Sequence, residues 1–152
     1  MLDLPELLAY ERAGQYRLLG QPLQEIRLAM PEVCAAESRP VDALLGRLVT
    51  EVRRTGLKLS LGFEGNYWFQ FEFGAGGRLD WTNPGSRLSP RLGLLALDFP
   101  QGVLELLEPP APAPRSRCHL LTGAELASSR NCGLEPLSAT SADWLLALRQ
   151  HA

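Results

Sequence analysis

Cys118 and His119 stand side by side, and a thiol activated by an imidazole is a nucleophilic arrangement. In an extended strand, neighbouring side chains point to opposite faces, so adjacency does not predict a direct catalytic hydrogen bond between them. Cys132 follows fourteen residues after Cys118, a spacing compatible with a disulfide, a thiol pair or part of a metal site. A zinc centre takes three or four ligands, and no CxxC or HxxxH spacing supplies them. The other histidine, His151, is the penultimate residue. These groups therefore read as structural, with no metal and no cofactor.

Glu64, Glu72, Asp80 and Asp98 fall in or beside a stretch of strand character, and paired carboxylates there could hold a cation or divide acid and base roles. Glu72 has Lys58 and Arg78 as expected cross-strand partners, which favours surface electrostatics. Asp98 reads as a turn cap ahead of Pro100. Gly74-Ala75-Gly76-Gly77 exposes backbone N–H groups but lacks the Lys-Ser/Thr of a phosphate loop, so it reads as a hairpin turn. Trp68, Lys58, Arg78, Arg87 and Arg91 could form an aromatic and basic surface for single-stranded nucleic acid. The formal charge of -2 and the nearby Glu64 and Glu72 disfavour it. Trp68, on the outer face of the expected sheet, reads instead as an anchor for a protein partner, with Gln70, Arg78, Arg87 and Arg91 around it.

The elements that must position these groups are legible in three parts. Residues 1–56 read as helical. Asp3 and Glu6 form a capping box, Pro5 suits a first turn, and Gly14 reads as a stop. Leu23, Ile26, Met30 and Val33 suggest a second helix between Gly20 and Ala36, broken or kinked near Pro31. Val41, Leu44, Leu45, Leu48, Val49 and Val52 make an apolar stripe for a third, between Pro40 and Gly56.

In the sheet part, 57–108, the hydrophobic period changes to two from Leu57 to Trp81. Leu57, Leu59, Leu61 and Phe63 share a phase, as do Tyr67, Phe69, Phe71 and Phe73, and then Leu79 and Trp81. Three antiparallel strands follow. Pairing Phe63 with Tyr67 leaves the loop Glu64-Gly65-Asn66, and sets Lys58 opposite Glu72, Leu59 opposite Phe71, and Gly62 opposite Trp68, where the indole can cover a backbone gap. A second turn at Gly74-Ala75-Gly76 would set Phe69 against Trp81, Phe71 against Leu79 and Glu72 against Arg78. Residues 82–91 read as a loop. Residues 92–107 read as two strands around Pro100-Gln101-Gly102, with a helix as the alternative. The PPAPAP segment lies in a Pro-rich spacer, 109–116. In the C-terminal helical part, 117–152, Thr122 and Glu125 cap a short helix ending near residue 132, and a terminal helix is expected from Ser141 to Gln150 with Trp144, Leu145 and Leu148 facing the core.

The expected fold is a single α+β domain, with N-terminal helices and a C-terminal helix packed on a four- or five-stranded, mainly antiparallel sheet. The chain has 152 residues, enough for a sizeable core, and its three cysteines are too few to staple it. No basic segment precedes the first apolar residues and no apolar run reaches 18 residues, so a cytoplasmic location is expected. The function expected is a non-catalytic protein-binding component: a regulator, adaptor, specialised chaperone or neutraliser of another protein. Its partner is another protein or, as a homodimer, a second copy, with no membrane and with nucleic acid disfavoured. An enzyme is the less favoured reading. Two alternatives stay open: a small hydrolase or thiol enzyme with Cys118 or Cys132 near Asp98 and His119, and a single-stranded nucleic-acid-binding protein.

Overall fold

The computed structural model describes residues 3–34 and 40–128. Helix α1 (Leu4–Leu18) starts at the expected box, with Asp3 Oδ1 accepting from Glu6 N at 3.0 Å and Glu6 Oε2 accepting from Asp3 N at 3.1 Å. It runs past Gly14, where it was expected to stop. That glycine marks a contact instead, since a Cβ there would sit 2.9 Å from Val52 Cγ1.

The second and third expected helices are not formed. In their place are strand β1 (Glu25–Leu28), a 3-10 turn at Pro31–Val33, another at Val41–Leu44, and strand β2 (Val49–Thr55). Leu23, Val33, Leu44, Val49 and Val52 are buried, Val49 and Val52 on strand β2 and Val33 and Leu44 in the 3-10 turns, while Leu45 and Leu48 of the expected stripe are exposed and Gly46 interrupts it at φ 80. Tertiary pairing has overridden a helical spacing that β-branched Val49, Thr50 and Val52 support weakly.

Strands β3 (Lys58–Phe63) and β4 (Tyr67–Glu72) form the expected hairpin, residue for residue, from Phe63 opposite Tyr67 to Lys58 opposite Glu72. Its loop uses Gly65 at φ 85 and Asn66 at φ 62. Strand β5 (Arg78–Thr82) departs from expectation, pairing with β7 (Gly102–Leu107) and not with β4. Strand β6 (Gly93–Phe99) forms a hairpin with β7, so residues 92–107 are strands. Strand β8 (Arg117–Thr122) then returns to the free side of β4. Helix α2 (Gly123–Ser128) follows, with Thr122 Oγ1 accepting from Glu125 N at 3.3 Å. The expected terminal helix 141–150 and Cys132 lie outside the described residues.

The fold is α+β, with helices flanking antiparallel sheets, but the strands make two four-stranded sheets where one was expected: β2-β3-β4-β8 and β1-β6-β7-β5. Phe63, Phe69 and Phe71 of the first sheet share one core with Leu95, Leu97 and Phe99 of the second, and α1 adds Leu7 and Leu18. The helix lies along the open side between edge strands β2 and β5. Gln15 Nε2 donates to Val52 O at 3.1 Å, Glu11 Oε2 accepts from Arg54 N, and Tyr10 Oη accepts from Leu79 N at 3.3 Å. Edge backbone groups that could template aggregation are thereby occupied.

Candidate nucleic-acid interface

Antiparallel alternation brings particular strand ends together. At one end of the first sheet, Thr55 faces Lys58, Lys58 faces Glu72, and Glu72 faces Arg117. In the second sheet, Arg78 faces Leu107, which also faces Gly93 just after Arg91. The two ends are tied. Glu108 is buried just past β7, and its carboxylate accepts from Arg115 N at 2.8 Å, Ser116 N at 3.0 Å and Ser116 Oγ at 2.9 Å. Gly74 N, just past β4, donates to Ser116 Oγ at 3.0 Å. The Pro-rich segment is thus the crossover from one sheet to the other, and Gly74–Gly77 is a second crossover, not a hairpin turn within one sheet.

This end gathers Arg54, Lys58, Arg78, Arg91, Arg115 and Arg117, with Arg78, Arg91, Arg115 and Arg117 exposed. Its carboxylates are committed to other work. Asp3 and Glu6 cap α1, Glu11 receives Arg54 N, and Glu108 receives the Arg115–Ser116 turn. Glu72 stands between Lys58 and Arg117, with His119 Nε2 3.3 Å from its Oε2. Arg78, Arg91, Arg115 and Arg117 are exposed while Asp3, Glu6, Glu11 and Glu108 bind backbone N–H groups, which leaves Glu72 as the exposed carboxylate among them and gives a local positive surface on a chain of formal charge -2. Between the cations, Leu57, Ala75, Gly76, Pro109 and Pro110 are exposed.

The five residues expected to form one binding face are separated. Trp68 is 8% exposed on the outer face of the first sheet, its indole over Gly62 and under the Arg53 guanidinium at 4.8 Å. Gln70 is buried beside it, with Nε2 3.4 Å from Ser60 Oγ. Arg78 and Arg91 belong to the basic end, and Arg87 is exposed in the connection from β5 to β6. Reading from sequence missed Arg115 and Arg117 because the second partner of β4, β8, lies beyond the Pro-rich segment, and Arg54 because its segment reads as a helix and not as strand β2.

Among the described residues, the groups of the thiol-hydrolase alternative, Cys118, His119 and Asp98, are not assembled. Cys118 is buried on the inner face of β8, across a parallel bridge from Cys34, while His119 faces the other way. Burial pushes both thiols up, and Cys34 adds to the effect on Cys118. Asp98 lies in the second sheet, held by Arg27 Nε at 2.8 Å and Nη2 at 3.0 Å. Glu64 Oε1 accepts from Leu48 N at 2.9 Å. Among the described residues no cluster of three His, Cys, Asp or Glu side chains could hold a metal ion, and no helix is long and apolar enough to cross a membrane.

No family model matches the chain, and no curated protein matches it in sequence. Solved structures do match it in fold. Lactococcus lactis Fpg (MutM), bound to DNA containing an oxidized pyrimidine, superposes with a TM-score of 0.74 at 15% identity, over 84% of this chain and 47% of that one. The T221P mutant of the same protein with Fapy-dG DNA gives 0.75 at 15%, over 84% and 46%. The complex with abasic-site DNA gives 0.74 at 15%, over 84% and 47%. The chain spans about half the length of these structures. This likeness overturns the expectation of a non-catalytic protein-binding regulator with a protein or second copy as partner, and the leaning away from an enzyme and from nucleic acid. The fold is one seen in a protein crystallised on damaged DNA.

Proposed function

We propose that the chain is the DNA-binding sandwich of an enzyme acting on base-damaged DNA. The carrying observation is the gathering of exposed Arg78, Arg91, Arg115 and Arg117 at the loop-bearing end of a fold shared with Fpg. Arginines of this kind neutralise phosphates, and exposed backbone at Ala75 and Gly76 permits close approach to a sugar-phosphate chain. Cys118 is buried in the core and Asp98 is paired with Arg27 in the other sheet, which gives the thiol-hydrolase reading no support.

The test is fluorescence anisotropy with a duplex carrying a tetrahydrofuran abasic analogue, beside the undamaged duplex and its single strands. Salt-sensitive binding, about tenfold tighter to the lesion duplex, is expected. Absence of salt-sensitive binding to any of these DNAs overturns the reading. Conversion of the lesion strand on a denaturing gel tests the enzymatic part, and no conversion of any damaged duplex would remove it.

A further inference from the structure

Between α1 and edge strand β5 a slot of about 210 Å³ opens to the surface, its lining residues Leu59 and Leu79 standing next in sequence to Lys58 and Arg78 of the basic cluster. Leu59, Leu61, Leu79 and Leu104 line its apolar interior, and Tyr10, Arg17, Asp80 and Trp81 supply its polar and aromatic lining. A dry cavity of about 150 Å³ accepts benzene, so this volume admits a benzyl-sized group with room for a polar head.

The charges lining the slot are opposite in sign and do not pair with each other. The Arg17 guanidinium lies over the Trp81 ring at 5.6 Å and forms no ion pair among the described residues. Asp80 spends Oδ1 on Trp81 N at 3.0 Å, which leaves Oδ2 as an acceptor. Arginine offers only donors, in a fork that fits a carboxylate, and an ionised aspartate offers only acceptors, which suit an ammonium. A slot with an apolar interior, a free guanidinium and a free carboxylate oxygen is complementary to one kind of small molecule.

We propose that this slot binds a free amino acid with an aromatic side chain. The α-carboxylate meets Arg17, the α-ammonium meets Asp80, and the side chain enters among the four leucines beside Trp81. Pockets of this kind take orientation from a few polar groups and affinity from apolar walls. The site is separate from the DNA reading and stands or falls independently of it.

The experiment is NMR titration of the intact chain with L-phenylalanine, following the Trp81 indole N–H signal, identified by its loss in W81F. Four further probes divide the argument: 3-phenylpropionate lacks the ammonium, phenethylamine lacks the carboxylate, glycine lacks the side chain, and D-phenylalanine inverts the head group. Saturable binding of L-phenylalanine is expected, with each of the four at least tenfold weaker. Arg17→Met and Asp80→Asn, both changes of exposed side chains, should each weaken L-phenylalanine at least tenfold. Ala13→Leu, which fills the slot from the helix side, should abolish binding. No saturable shift with L-phenylalanine overturns the proposal. So does binding that survives both charge substitutions or the filled slot, or that 3-phenylpropionate and phenethylamine match.

Discussion

Trp68 stands directly across the β3–β4 hairpin from Gly62 and lays its six-membered ring over it, so that a Cβ on the glycine would come within 3.0 Å of Cη2 and Cζ3. The indole is part of the sheet's own packing. Gly62→Ala should therefore destabilise the protein by about 1–2 kcal/mol through overpacking, and Trp68→Ala by about 3 kcal/mol through lost burial. In urea denaturation the double variant should cost less than the sum of the two, because removing the ring removes the clash. Strict additivity would show that the two residues do not share this contact.

Arg115 and Arg117 are exposed on the far side of the crossover from the Gly74 turn. If they contact phosphates, R115A/R117A should bind the lesion duplex more weakly and lower the slope of log K against log salt by about 2. An unchanged slope would take these two residues out of the interface.

Glu108 holds three hydrogen bonds on one buried carboxylate and ties the two sheets at their basic end. Glu108→Ala leaves those donors without an acceptor, and a loss of about 3 kcal/mol is expected in chemical denaturation. Glu108→Gln keeps one acceptor oxygen and should lose about half as much. A Glu108→Ala protein as stable as the parent would mean that the crossover is held by the chain around it.

Glu105 is 4% exposed, and its Oε1 has no hydrogen-bond partner. Burial pushes its carboxyl up, with Asp80 on β5 and Asp98 on β6 adding to the effect, while Arg27 on β1 and a hydrogen bond with Thr82 on β5 oppose it. The folded state thus keeps this proton to higher pH than the unfolded chain does. Stability falls as pH rises from the ordinary glutamate value through the raised one, and stays lower above it. Glu105→Gln should be more stable than the parent at pH 7 by about 1–2 kcal/mol. The difference should vanish below about pH 4, where both side chains are neutral. Equal stability of the two proteins across pH 4–8 would contradict this account.

Local chemistry decided much of what can be read along this chain. The capping box of Asp3 and Glu6 is a contact between residues three apart. The β3–β4 register, with its Gly-Asn loop, follows from period-two alternation and a short connection, and so does the cover of Gly62 by Trp68. The apolar residues of 41–52 read as a helical stripe, yet Leu45 and Leu48 are exposed and Val49 and Val52 are buried on β2, because β3 supplies a strand partner that local spacing does not reveal.

Tertiary structure alone decided that β5 leaves β4 for a second sheet, that β8 crosses back to take its place beside β4, and that α1 lies along the open side. A strand's apolar phase states which face is buried but not which strand lies beside it, because backbone hydrogen bonds are alike for every partner. Glu72 therefore has Arg117 at its side where Arg78 was expected, and the basic end draws its cations from six separate points along the chain. Charges so dispersed in sequence become one surface only when sheet order is set, and sheet order is set by long-range packing.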